Sequence, residues 1–430
     1  MAANGVDLLD VADRLWTGDL PIEEHNPFRY LGELIRFDAE LAFVASFANV
    51  SAFSTGEGLL LVDTGSTFLA ERVHAAVRSW SDQSLATAVF THGHVDHCFG
   101  VERYEAEAAA AGSRPPRVVA HEAISARFDR YRATNGYNAV INQRQFQNPA
   151  LRWPIDYRYP DDTYSDQLVV ELAGERFELH HARGETDDHT WVWVPGRKVL
   201  CCGDLFIWAS PNCGNPQKVQ RYPREWALAT REMAALGAEI LLPGHGLPIV
   251  GADRVRDALL DVAILLETLH DQTVALMNAG ARLDDILDAI EYPEELLAKP
   301  YLRPVYDEPE FVVRNVWRLY GGWYDGNPAR LKPPTDAVLA REVAALAGGA
   351  GRLADRARSV ADAGDLRLAG QLAEWAVQAD PGLESAHEAR FSVNRARATA
   401  EASTMAKGVF SWAASESRNR HAPDASHPRG

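Results

Sequence analysis

The chain has 430 residues, enough for two or three domains, and its 47% hydrophobic and 24% charged residues are an ordinary balance for a packed globular protein. With 43 Lys and Arg against 60 Asp and Glu the net charge is −17, which repels phosphate backbones and anionic lipid and argues against a nucleic-acid or membrane-surface role. No run reaches the roughly 18 apolar residues of a membrane span, and the N-terminus lacks the basic start and apolar core of a secretory leader. The four cysteines, Cys98, Cys201, Cys202 and Cys213, form no C-x-x-C pair. A cytoplasmic protein with reduced, buried cysteines is expected.

Residues 1–40 are mixed and acidic and read as an N-terminal extension lying over the body of the molecule. Short strands are predicted at 43–47, 49–53 and 58–62, the last ending in Asp63-Thr64-Gly65-Ser66. Helical spacing follows over 69–80, then a strand at 86–90. Further strands are predicted at 117–120 and 177–181. Apolar runs at 191–195 and 198–202 flank Pro195-Gly196 like a hairpin, and a helix at 225–236 precedes a strand at 240–242. Strands alternating with helices to about residue 250 predict an α/β domain, which spans 41–332 with the helices that trail it.

Residues 131–164 break this pattern. They are rich in Asn, Gln, Arg, Tyr and Pro, with little helical or strand period, and long segments of that kind are usually functional or disordered. Tyr137, Phe146, Trp153, Tyr157 and Tyr159 favour an ordered, substrate-covering loop. From about 253 the chain turns helical, with helices predicted at 253–278, 282–290 and 311–320. Pro333-Pro334 marks a boundary, and amphipathic helices at 353–363, 366–379 and 383–400 form a helical unit over 333–412. It has no sustained repeat. Residues 413–430 read as a disordered tail.

The strongest chemical signal is Thr91-His92-Gly93-His94-Val95-Asp96-His97, directly after an apolar strand. Imidazole nitrogen and carboxylate oxygen are the natural ligands of zinc and similar ions. His92 and His94 can point the same way from an extended segment, while Asp96 and His97 turn toward a second ion. Asp63, at another strand end, can orient a ligating histidine or simply begin a turn.

These residues resemble the H-x-H-x-D-H motif of the metallo-β-lactamase superfamily, and that resemblance implies an αββα sandwich. The run His181-Ala182-Arg183-Gly184-Glu185-Thr186 stands where that family has H-x-P-G-H-T. Cys202-Gly203-Asp204 and Leu242-Pro243-Gly244-His245 are similar to its bridging carboxylate and last histidine. The implied ligand set is His92, His94 and Glu185 for one metal, and Asp96, His97 and His245 for the other, with Asp204 between them. Asp96 and Asp204 carry the catalytic roles, and Asp63 and His181 lie behind the ligands. His189 is an alternative to Glu185.

Glutamate at position 185 resembles the alkylsulfatase branch. The run from Val313 to Trp317, Gly322-Trp323-Tyr324-Asp325-Gly326-Asn327-Pro328 and the helical unit are similar to that branch's later segments, including its dimerisation domain. The resemblance implies a homodimer formed through the C-terminal helices. The chain departs from the branch in keeping Asp204 at the bridge and in matching the Ala-Met-x-Arg-Arg run only by Asn138 to Arg144. Asn135, Tyr137, Asn138, Arg144, Lys218 and Arg221 are the candidate substrate contacts.

Two divalent ions, zinc by default with iron or manganese as alternatives, lower the pKa of bound water toward about 7. The expected activity is hydrolysis of an alkyl sulfate or related anionic ester by a metal-bridging hydroxide. The substrate would be a small molecule, anionic or with an apolar tail. A carboxylic ester, lactone, thioester or amide is the alternative substrate, and a metal-containing dimeric scaffold is the alternative to an enzyme.

Overall fold

The computed structural model describes residues 7–419. The chain divides into two compact units, one built from residues up to 135 with 153–323, the other from 136–152 with the chain from 324 onward.

The first unit opens with α1 (Leu8–Thr17), capped by the Asp7 side chain, which accepts from the Leu9 amide at 2.9 Å. Its Leu8, Val11 and Leu15 face is buried in the main core. β1 (Glu33–Arg36) then pairs with β2 (Leu41–Ala45). The expected overlying extension is therefore corrected: residues 33–36 are an edge strand of a sheet, held by a four-residue register from Glu33↔Ala45 to Arg36↔Ala42. The signal is faint because only Ile35 in that strand is buried.

β3 (Val50–Thr55) and β4 (Gly58–Val62) continue the antiparallel meander, and α2 (Ala70–Arg78) leads to β5 (Leu85–Val89). α3 (Val101–Ala111), β6 (Arg117–His121), α4 (Ala123–Ala133), α5 (Asn135–Phe146) and β7 (Asp162–Tyr164) follow. The seven strands lie in chain order, and β4 to β7 pair in parallel. The second sheet holds β8 (Gln167–Leu172), β9 (Glu175–His181), β10 (Thr190–Val194), β11 (Val199–Ile207), β12 (Ile240–His245) and β13 (Ile249–Val250), in reverse spatial order. β11 and β12 pair in parallel through a crossover containing α6 (Pro223–Ala234). α7 (Ala252–Asn278), α8 (Leu283–Ala289), α9 (Glu294–Leu297) and α10 (Pro309–Gly321) complete the unit.

Side-chain alternation sorts the first sheet into two faces. Phe43, Phe53, Leu60, Val62, Val89 and Val119 join Phe177, Leu179 and Trp191 of the second sheet in one core. Phe53 and Phe177 meet edge-to-face at 5.2 Å. Val44, Ala52, Leu59, Leu61 and Phe90 point the other way, into a second core with Val73 and Val77 of α2, Tyr104 of α3 and Phe128 of α4. On the outer side of the second sheet, Trp226 and Met233 of α6 and Leu259 and Leu266 of α7 are fully buried. The result is the expected layering of helices, sheet, sheet and helices. Each fully buried Leu or Phe contributes about 1.5–3 kcal/mol.

The second unit contains α11 (Pro328–Leu331), α12 (Asp336–Ala347), α13 (Ala350–Asp362), α14 (Leu366–Ala379), α15 (Glu384–Ala400) and α16 (Thr404–Arg418). Alanines dominate its buried positions, among them Ala354, Ala376, Ala386 and Ala389 in one cluster and Ala357, Ala369 and Ala373 in another. Arg390 ties α15 to Glu374 of α14 at 2.6 Å and to the Ala413 carbonyl of α16 at 2.7 Å. Residues 413–418 of the expected disordered tail are thus helical, and 420–430 lie outside the described residues.

The loop expected at 131–164 is also corrected, since α4 and α5 occupy its first half. Residues 136–152 belong to the helical unit, where Gln147 Nε2 donates to the Gly408 carbonyl of α16 at 2.7 Å. The buried face of α5 is largely polar, with Asn138, Asn142, Gln143 and Gln145 inside, so no apolar period marks it.

Candidate metal centre

The parallel pairs β4–β5 and β11–β12 place several strand ends at one edge of the sandwich. The loop after β5 carries His92, His94, Asp96 and His97, the β9–β10 connection carries Glu185, β11 carries Asp204 and β12 ends at His245. Asn49 ties the β2–β3 turn to the end of β12, donating from Nδ2 to the Pro243 and Gly246 carbonyls at 2.9 and 2.8 Å. A side chain at Gly244 would collide with Asp204, because a Cβ there would lie 2.1 Å from Oδ1.

All seven residues of the expected ligand set come together. His92, His94, Glu185 and Asp204 offer ligand atoms within 4.8 Å of one another, and so do Asp96, His97 and His245. His92 Nε2 and His94 Nδ1 are 2.8 Å apart, with Glu185 Oε2 3.4 and 3.2 Å from them. Asp204 faces both groups: Oδ2 lies 3.7 Å from His92 and 3.3 Å from His245, and Oδ1 3.4 Å from His97. His97 Nε2, Glu185 Oε2 and Asp204 Oδ1 are buried and have no hydrogen-bond partner. An unsatisfied buried polar atom costs about 1–3 kcal/mol. Imidazoles and carboxylates converging with unpartnered donor atoms fit divalent cations, which would satisfy all three.

Electrostatics follow from burial and close charge. Burial would push the His97 imidazole down, but Asp204, Asp63 and Asp96 overcome it and hold it up at about 10. The same opposition, led by Asp204, holds His245 at about 9. Burial would raise the Glu185 carboxyl, yet Arg221 and His94 keep it well below the usual carboxylate range. Burial and the proximity of Glu185 push Asp204 up, against the pull of His245 and His97.

Asp63 lies behind His97. Its Oδ2 is 2.7 Å from His97 Nδ1, and Oδ1 accepts the Thr91 amide at 2.7 Å. Asp63 therefore turns Nε2 of His97 inward. His245 is held through Nδ1 by the Phe47 carbonyl. His189 is not among the grouped ligand atoms; its Nε2 accepts the Asp204 amide at 3.1 Å. His181 is displaced from the expected position behind a ligand. It stacks on His121 at 3.6 Å and its Nε2 meets the Asp187 carbonyl at 2.9 Å, steadying the loop that carries Glu185.

The candidate substrate contacts separate. Arg221 is committed to Glu185, pairing through Nη1 at 2.5 Å, so its first role is to neutralise a buried carboxylate. Lys218 lies in the same loop and senses Asp96 and Glu185; desolvation and Arg221 push its ammonium down to about 8. Asn135 closes the first unit, while Tyr137, Asn138 and Arg144 belong to the helical unit. Asn138 is buried there and accepts from Asn142 Nδ2.

Three residues of the site escaped the sequence reading. Asn212 donates to Glu185 Oε1 at 2.5 Å, Asp188 accepts the Gly93 amide at 2.8 Å, and Arg127 pairs with Asp188 at 2.6 Å. Each acts on a partner distant in sequence, and spacing carries no trace of it. Arg130 is a fourth: its guanidinium lies 5.1 Å over the Tyr131 ring, which is 6.4 Å from the His94 ring.

Comparison with known proteins follows the same division. A metallo-beta-lactamase superfamily model matches residues 44–245, and an alkyl sulfatase dimerisation model matches residues 282–420. The chain thus joins a region that matches the metallo-β-lactamase superfamily to one that matches the alkyl sulfatase dimerisation domain. It is 27% identical over 359 residues to a linear primary-alkylsulfatase of Pseudomonas sp., covering 75% of this chain and 65% of that one. It is 27% identical over 368 residues to an (R)-specific secondary-alkylsulfatase of Pseudomonas sp., covering 79% and 55%. An alkyl/aryl-sulfatase of Saccharomyces cerevisiae is 24% identical over 369 residues, covering 79% and 56%. The chain thus spans 55–65% of the length of these curated relatives. The solved structure of the stereoselective inverting sec-alkylsulfatase Pisa1 from Pseudomonas sp. shares the fold, with a TM-score of 0.80 at 23% identity, covering 93% of this chain and 66% of that one. No helix among the described residues is long and apolar enough to cross a membrane.

Proposed function

We propose that the chain is a dinuclear metal-dependent hydrolase of an alkyl sulfate or a related anionic ester, acting as a homodimer. The observation that carries this reading is the set of seven converging side chains, with Asp204 facing both groups and three buried ligand atoms left unpartnered. Two divalent ions, zinc by default, would supply Lewis acidity and a hydroxide nucleophile at neutral pH.

The chain's own residues do the rest. Asp204 sets the spacing of the two groups. Asp63 and the Phe47 carbonyl aim His97 and His245. Asn212 and Arg221 hold Glu185 ionised and fixed. Lys218 and Arg130, which has no ion pair among the described residues, draw the anionic group of the substrate toward the centre. Tyr131 beside His94 offers its apolar part a wall. Asn135, in the same unit as the centre, is kept as a further contact.

Sulfate release from medium-chain alkyl sulfates by metal-analysed protein tests the reading. Release that disappears with Asp204→Ala is expected. The engagement of Arg221 with Glu185 favours the second reading, a carboxylic ester, lactone or thioester, because it removes one expected anion contact. Metal-loaded protein that releases no sulfate but hydrolyses those substrates would establish it.

A further inference from the structure

The segment that carries Glu185 does more than supply one ligand. Asp188, 1% exposed, divides its carboxylate: Oδ2 accepts the Gly93 amide at 2.8 Å, and Oδ1 accepts Arg127 Nε at 2.6 Å. Arg127, 3% exposed, also pairs with Asp187. Gly93 lies between His92 and His94. A Cβ there would come within 2.8 Å of Arg127 Cδ and 3.1 Å of Ile124 and Phe128, so α4 packs directly against the backbone joining the two ligands.

One residue further on, His189 Nε2 accepts the backbone amide of Asp204 at 3.1 Å, and its ring stacks on His92 with centroids 4.8 Å apart. Glu185 is thereby linked within four residues to both other segments that complete its group. Among the described residues no hydrogen bond joins Asp96, His97 or His245 directly to this segment, and Asp204 is their one link to it; the direct supports of His97 and His245 are Asp63 and the Phe47 carbonyl.

We propose that Asp188, backed by Arg127, and His189 are positioning residues that set the spacing of the His92, His94, Glu185 and Asp204 group and so its metal affinity, without touching the ion themselves. The proposal rests on the metal-centre reading above. Its physical basis is preorganisation: a ligand set fixed before the ion arrives loses less freedom on binding, and groups behind the ligands typically change metal affinity about 10–100-fold.

The test is titration of metal-free protein with Co(II), read by visible absorption, together with Zn(II) competition against a chromophoric chelator. Asp188→Asn keeps the shape and removes the charge; His189→Phe keeps the stacking and removes the acceptor. Wild type is expected to take two equivalents. Each variant should take one with wild-type affinity and the other about 10–100-fold more weakly, with an altered Co(II) spectrum. Equal weakening of both equivalents, or two wild-type affinities with an unchanged spectrum, would overturn the positioning role. Fewer than two equivalents in the wild type would instead overturn the metal-centre reading. If Asp188→Asn does not fold, His189→Phe decides by the same criteria.

Discussion

Around Glu185 the supporting groups are buried and polar, most of them charged: Arg221 pairs with it, the neutral amide of Asn212 donates to it, and the Arg127–Asp188 pair grips the neighbouring His92–His94 backbone. Around His97 and His245 the supports are acceptors on imidazole Nδ1 atoms, the Asp63 carboxylate and the Phe47 carbonyl. The difference follows from the ligands. A carboxylate at position 185 puts a negative charge in a site with no solvent to receive it, and a guanidinium answers that charge. Histidines need only a fixed tautomer and a direction. The substitution of glutamate for histidine therefore explains why Arg221, read from sequence as an anion contact, is turned inward.

The largest effect should come from the residue shared by both halves. Asp204→Ala is expected to abolish hydrolysis and to leave less than two metal ions per chain by elemental analysis. Next is Arg221→Met, which strands Glu185 as a buried charge. Breaking such a pair costs about 3–5 kcal/mol, and urea melts of metal-free protein should show that loss, reduced in metal-loaded protein. A loss equal in both forms would mean that Arg221 does not act through Glu185.

Asp63→Asn attacks the other half. It should weaken one metal equivalent by about 10–100-fold while sparing the Glu185 group, measured by chelator competition. Weakening of both would blur the distinction between the halves. The smallest effect concerns Lys218. Its pKa is depressed to about 8, so it is cationic below that pH and neutral above. KM for an anionic ester should rise as pH passes about 8, and Lys218→Met should raise KM at pH 7 and flatten that rise.

The seven clustered residues were legible because each belongs to a short motif beside or within a strand: His92 to His97 after β5, Glu185 in the run that follows β9, Cys202-Gly203-Asp204 in β11 and Pro243-Gly244-His245 in β12. Asp63 was legible for the same reason. The supports were not, since Asn212, Arg127 and Asp188 act through partners far along the chain. The strands of the core announced themselves by apolar runs, as in Gly58–Val62. β1 and α5 did not, because the first buries one residue and the second buries amides. The disagreement over residues 131–164 has the same origin: polar burial leaves no hydrophobic period to read.

Anomalous diffraction at the zinc edge from zinc-loaded crystals tests the central claim most directly. Two peaks per chain are expected, one within coordination distance of His92, His94 and Glu185, the other of Asp96, His97 and His245, with Asp204 reaching both. A single peak, or two peaks that leave Glu185 or Asp204 without an ion, would contradict it.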